Sequence, residues 1–260
     1  MPVSSRPVRQ AIPNCQEGVR VMEQTEGLPY ELSPEVVARA SWLRGQLLSW
    51  FRSCGRTFPW RDPGREPYEI TVAEVLLQRT TAAGVARAYR GFIKRYPSWA
   101  SLALTPLEDL ERALRPLGLW RQKALVLQHL AQSIEEHGGT IPCSRTEIER
   151  LRGIGPYTAS AVLAIVYGQT EPLLDVNMVR LLNRFFGPTE RAGEGRNRSL
   201  HRLALLLVSG EQCLQVNWSV LDFGALVCKA RRPHCQECQL KVECWYVRSQ
   251  ITPISDAPSG

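Results

Sequence analysis

Residues 151–160 read LRGIGPYTAS, and the fold turns on what that stretch does. Gly153 and Gly155 flank a single isoleucine, Ile154, and Pro156 follows. Glycines permit a tight turn with dihedrals that other residues avoid. Proline suits the first position of a helix, and Gly168 stands where that helix would close. The pattern is helix, hairpin, helix, with small residues (Ala159, Ser160, Ala161, Ala164) along the second helix. The glycines also leave main-chain N–H groups uncovered at a helix start, which makes an anion site that a DNA phosphate would suit. Taken alone, the stretch reads more readily as a plain corner between helices, with glycines for close packing.

Working outward, nearly everything is predicted to be helical. Ser33 offers an N-cap and Pro34 an N1 proline. Val36, Ala40, Leu43, Leu47 and Trp50 follow at helical spacing, and Gly55 stops the run. A loop, RTFPWRDPGREP, fills 56–67. Helices are expected over 68–80, 85–96, 106–115, 121–137, 145–151, 156–167, 176–186, 200–208 and 216–227. Connections rich in Gly, Pro, Ser and Thr join them. No run alternates as strands do, so the fold class is all-α. Residues 1–32 mix Pro, Glu, Arg and Ser without periodicity and are expected to be a mobile tail.

The chain has 260 residues, 44 % hydrophobic and 22 % charged, with a net charge of +7. A moderate basic excess favours a polyanionic partner, nucleic acid first. No apolar core of a secretory signal precedes residue 12, and no run approaches a membrane span. The expectation is a soluble, intracellular protein, cytoplasmic or nucleoid-associated, with no membrane partner and monomeric.

Two further features carry chemistry. EPLLDVNMVRLLNRFFG, at 171–187, puts Asp175 at the start of a helix. An aspartate there is usually a structural cap. CKARRPHCQECQLKVEC, at 228–244, places Cys228, Cys235, Cys238 and Cys244 with gaps of six, two and five residues. A structural zinc site joins two close pairs across a longer loop. Here one close pair is flanked by single cysteines, which suits a [4Fe-4S] cluster better than zinc. Cys15, Cys54, Cys143 and Cys213 are scattered and read as ordinary thiols.

Hairpin, downstream aspartate and four-cysteine loop, in this order, resemble the endonuclease III superfamily of helix-hairpin-helix DNA glycosylases. FPWR at 58–61 and AEVLLQRTTA at 73–82 extend the resemblance, which runs from about residue 42 to 244. It implies two helical domains flanking a DNA-binding cleft, with Asp175 in the cleft. One, a six-helix barrel holding the hairpin, would span 63–169. The other, carrying the cluster, would span 33–62 and 170–248, leaving 249–260 as a C-terminal tail. The resemblance also leaves room for a monovalent cation at the hairpin.

Endonuclease III has a lysine two residues after the second hairpin glycine, which attacks the sugar and allows strand cleavage. This chain has Tyr157 there, and its four lysines (Lys94, Lys123, Lys229, Lys241) all lie elsewhere. A phenol forms no Schiff base, so the resemblance implies a monofunctional glycosylase. Tyr157 would line the base pocket or pack at the helix start. Two monofunctional branches are similar, one releasing adenine opposite guanine or 8-oxoguanine, the other thymine or uracil opposite guanine. PLGLW at 116–120, Val176 after the aspartate and QRTTA at 78–82 favour the second. The chain ends sixteen residues after Cys244, so the C-terminal domain usual in the adenine branch is not expected. A non-catalytic mismatch-binding protein is the third possibility, and the retained Asp175 argues against it.

The implied substrate is double-stranded DNA with a mismatched or damaged base, flipped out of the stack. Arg79 stands where the family has a wedge glutamine, with Gln78 and Thr80 beside it; a phosphate contact for Arg79 is the even alternative. Gly153, Ile154, Gly155 and Thr158 are assigned to the DNA backbone, as are Lys229, Arg231 and Arg232. Asp175 would stabilise the sugar cation, kept ionised by its helix N-terminus. Glu74 would act as acid or bind the base, or simply be solvated on an amphipathic helix.

Overall fold

A computed structural model describes residues 33–188 and 194–251, with side chains over 33–188 and 198–250. The expected tail over 1–32 lies outside the described residues, as does Cys15. Twelve α-helices and no strands are found among the described residues. No helix of theirs is long and apolar enough to cross a membrane.

Phe58–Tyr167 forms one compact unit. It holds α2 (Pro67–Leu77), α3 (Ala82–Arg95), α4 (Trp99–Leu104), α5 (Leu107–Leu114), α6 (Trp120–Glu136), α7 (Arg145–Arg150) and α8 (Pro156–Ile165). The sequence pattern misses α4, so this unit has seven α-helices instead of six. Six residues are too few to display a 3.6-residue period, yet Ser98 and Ser101 cap the helix reciprocally. The core gathers Val72, Val75 and Leu76 of α2 against Leu102, Leu110, Leu127, Leu130 and Val162. Full burial of each such side chain contributes about 1.5–3 kcal/mol. Trp60, in a short 3₁₀ turn at Pro59–Arg61, stacks on Phe58 and meets Tyr89 edge-on.

The other unit joins residues 33–57 to 168–251. Its elements are α1 (Pro34–Cys54), α9 (Val176–Phe186), α10 (Glu194–Val208), α11 (Cys213–Leu226) and α12 (Trp245–Ile251). Leu43 and Leu47 of α1 pack into one core with Leu182, Phe185, Leu207 and Phe223. Asp222 of α11 has no exposed surface; its carboxylate accepts from the Arg56 main-chain N–H at 2.7 Å and Nε at 2.8 Å. Of the tail expected over 249–260, residues 249–251 belong to α12 and the rest lies outside the described residues. Cys54 and Cys213 are free thiols, as expected. Cys143 is disulfide-bonded and not an ordinary thiol, since isolation in sequence says nothing of distance in space.

Candidate DNA-contacting and catalytic residues

α2 ends at Leu77, three residues before its expected end at Thr80. Gln78 has φ −55° and ψ 112°, Arg79 has φ +55°, and the Thr80 N–H donates to the Leu77 carbonyl at 3.1 Å. These are the features of a type II turn, whose third position normally takes glycine. An arginine held there costs about 1–3 kcal/mol. Its side chain is exposed. Behind the turn, Gln78 Nε2 donates to the Gly153 carbonyl and to Thr158 Oγ1, each at 3.3 Å. Three residues assigned to DNA thus bond to one another. Lys123 of α6, 3 % exposed, donates its Nζ to the Gln78 main-chain carbonyl. Burial lowers the Lys123 pKa.

The hairpin's two glycines have different reasons to be glycine. Gly153 has φ +88°, and a Cβ there would lie 2.5 Å from Val126 Cγ1. Gly155 is extended, at φ −96° and ψ 175°, so the expectation of an unusual dihedral is corrected for that position. A Cβ on it would meet nothing within 4 Å. Ile154 is buried and anchors the turn, its N–H donating to the Leu151 carbonyl at 3.1 Å. Thr158 is buried and Tyr157 half-buried in the first turn of α8.

Glu74 is not a solvated surface residue. Most of α2 is buried, and Glu74 is 7 % exposed. Burial pushes its carboxyl up to about 7, with the Arg61 charge opposing.

In the second unit Asp175 caps α9. Its Oδ1 accepts from the main-chain N–H of Asn177 at 2.9 Å and of Met178 at 2.8 Å, and its Oδ2 accepts from Asn177 Nδ2. Burial nevertheless outweighs those bonds and raises the Asp175 pKa. The helix N-terminus alone does not set its ionisation, which corrects that expectation. The Asn177 side-chain Oδ1 accepts from Arg180 Nη2 at 2.7 Å. Arg180 also donates to the Cys228 carbonyl from Nε at 2.8 Å and to the Gly224 carbonyl from Nη2 at 2.7 Å. Gly224 is small by necessity: a Cβ there would lie 2.6 Å from Asn177 Cβ.

Cys228, Cys235, Cys238 and Cys244 are free thiols that line one small, partly open apolar cavity of about 20 Å³, with Leu181, Phe223 and Leu240 also in its wall. Burial pushes the Cys238 thiol up to about 11. Among the described residues, no three His, Cys, Asp or Glu side chains are placed to hold a single metal ion. Arg184 braces this loop, donating to the carbonyls of Lys229 at 2.7 Å and Ala230 at 3.2 Å and to Cys228 Sγ at 3.3 Å. Arg231 and Arg232 are exposed on it and Lys229 is half-buried.

Sequence reasoning passed over Lys123, Asn177, Arg180 and Arg184. The spacing from Asn177 to Arg180 places both on one helix face one turn beyond the aspartate, and that signal was readable. Lys123 gave none, since a lysine on a helix usually points to water.

The family model of the HhH-GPD superfamily base excision DNA repair proteins matches residues 72–204. A thymine/uracil-DNA glycosylase of Methanothermobacter thermautotrophicus is 35 % identical over 201 residues, which is 77 % of this chain and 90 % of that protein. An adenine DNA glycosylase of Mycobacterium tuberculosis is 31 % identical over 82 % of this chain and 69 % of its own. The solved structure of a thermostable thymine-DNA glycosylase superposes with a TM-score of 0.75 at 32 % identity, covering 82 % of this chain and 98 % of its own. With its helix-hairpin-helix element and capping aspartate in family order, the chain belongs to the HhH-GPD superfamily of base excision DNA repair proteins and is a DNA glycosylase.

Proposed function

We propose that the protein is a monofunctional glycosylase that hydrolyses the N-glycosidic bond of thymine or uracil opposite guanine. The observation that carries the chemistry is the Asp175 cap. Its two oxygens accept three hydrogen bonds that fix the carboxylate in one orientation. Breaking an N-glycosidic bond builds positive charge on the sugar, and an oriented carboxylate stabilises it or directs the attacking water. Glu74, protonated up to about pH 7 by its burial, gives a proton to the departing base. Tyr157 offers a phenol where a bifunctional enzyme needs an amine, so chemistry stops at the abasic site. The choice of base follows the names of the relatives and the QRTTA stretch.

Arg79 fills the space left by the flipped base, with Gln78 and Thr80 at its sides. The open face at Gly155 and the N–H groups of Gly153 and Gly155 take a DNA phosphate, with a monovalent cation at the hairpin, and Lys229, Arg231 and Arg232 meet others. The four cysteines would hold a [4Fe-4S] cluster, a reading supported by their spacing and by all four lining one cavity. When bound, the cluster would hold the two ends of the basic loop together, while Arg180 and Arg184 tie that loop to α9.

The test is release from duplexes bearing T:G, U:G, A:G and A:8-oxoguanine, with and without alkali. Thymine and uracil release, strand breakage only after alkali and no borohydride-trapped adduct are expected. Asp175→Asn should bind these duplexes and release nothing. Adenine release would assign the protein to the other branch, which also has a glutamate at the Glu74 position. A trapped adduct would identify an amine nucleophile, and no release from any duplex would leave a mismatch-binding protein.

A further inference from the structure

The lysine beneath the Arg79 turn has no role in the chemistry above. We propose that Lys123 is a positioning residue for Arg79: by holding the Gln78 carbonyl it fixes the turn in which Arg79 is left-handed, and so aims the arginine. The inference rests on the reading above that Arg79 enters the duplex.

A type II turn differs from a type I turn by the direction of its central peptide. Rotating that peptide would reverse the Gln78 carbonyl and let Arg79 adopt negative φ, where an arginine is unstrained. Two donors oppose the rotation. Lys123 Nζ bonds to the carbonyl from the buried side, and Thr80 Oγ1 donates to the same oxygen at 3.4 Å. Lysine is rarely buried without a partner. Lys123 is almost fully buried, between the core residue Ala124 and a partner that is a main-chain carbonyl. The Gln78 side chain meanwhile grips Gly153 and Thr158. The residue before Arg79 is therefore held at both its carbonyl and its amide, and Arg79 alone projects from the turn.

Single-turnover base release, and base extrusion read by 2-aminopurine fluorescence in the duplex, would be measured for Lys123→Met, Lys123→Arg, Arg79→Ala and the double variant. Lys123→Met is expected to slow both by about tenfold, the loss of one charged hydrogen bond, while duplex binding changes little. Lys123→Arg should restore most of the rate. The double variant should be no slower than Arg79→Ala, because Lys123 acts through Arg79. Fully additive losses would overturn the proposal. A crystal structure of Lys123→Met decides it without DNA: Arg79 should have negative φ, and a retained left-handed Arg79 would refute the role of Lys123. If Arg79→Ala alone extrudes bases normally, Arg79 loses its place in the duplex, and the Lys123 claim stands or falls on that φ. Lys123→Gln, too short to reach the carbonyl, replaces Lys123→Met should the latter not fold.

Discussion

Arg180 Nε donates to the main-chain carbonyl of Cys228 at 2.8 Å, and the same guanidinium reaches Asn177, whose amide bonds to Asp175. Four residues therefore connect the cysteine loop to the candidate catalytic carboxylate within one unit. Arg180→Leu should leave three main-chain carbonyls, of Val176, Gly224 and Cys228, and the Asn177 side-chain oxygen without this donor. It is expected to cost about 1–3 kcal/mol in chemical denaturation and to slow base release more than it weakens DNA binding. Base release at the wild-type rate in a destabilised variant would mean that the connection is structural only.

Glu74 should make both stability and activity depend on pH. Its ordinary pKa is 4.5, and burial lifts it to about 7 in the folded protein. The folded state therefore holds the proton more tightly than the unfolded chain. The associated stability is fully present below about 4.5 and is lost as pH rises through about 7, of order 3 kcal/mol in total. Glu74→Gln removes that dependence. Melting at pH 5 and pH 8 should show the variant gaining on the wild type at the higher pH. Base release by the wild type should fall above about pH 7 and be lost in the variant.

The two hairpin glycines should respond differently to alanine. Gly153→Ala combines a positive φ with a Cβ 2.5 Å from a Val126 methyl. A loss of about 1–3 kcal/mol in urea denaturation is expected. Gly155→Ala has space and an ordinary φ, and stability within about 0.5 kcal/mol of wild type is expected. Its Cβ would stand over the N–H groups assigned to phosphate, so duplex affinity should fall. Unchanged affinity would mean the hairpin packs but does not bind.

Protein purified anaerobically should be brown and carry about four irons per chain. Substituting any one of Cys228, Cys235, Cys238 and Cys244 by serine should lower the iron content and loosen the loop held by Arg184. Stoichiometric zinc in a colourless preparation would reverse the assignment.

The helical fold was legible because nearly every helix announces itself by period and by cap: Ser33, Pro156 and Asp175 stand at real helix starts. Where the sequence misled, a tertiary contact was responsible. The pattern AEVLLQRTT continues a helix beyond Leu77, but a buried lysine forty-five residues away in sequence holds the Gln78 carbonyl outside it. The equal appearance of Gly153 and Gly155 conceals that one avoids Val126 and the other avoids nothing. Glu74 could not be separated from a solvated glutamate without knowing that both sides of α2 are covered. Asp175, by contrast, was readable from its place alone, since capping is a local act.

Arg39 of α1 donates to the carbonyls of Phe185 and Glu243, and its guanidinium lies over the rings of Phe185 and Phe186. The unit it closes begins before Phe58 and resumes only at Gly168. During synthesis α1 therefore emerges from the ribosome without its partners. It waits while roughly a hundred residues are added, on the order of ten seconds at ordinary elongation rates. Residues 58–167 of the intervening unit are contiguous in sequence and can pack against one another in that interval. Leu43 and Leu47 stay uncovered until α9 and α11 arrive, so nascent chains stalled between residues 60 and 170 should be the ones that recruit chaperones.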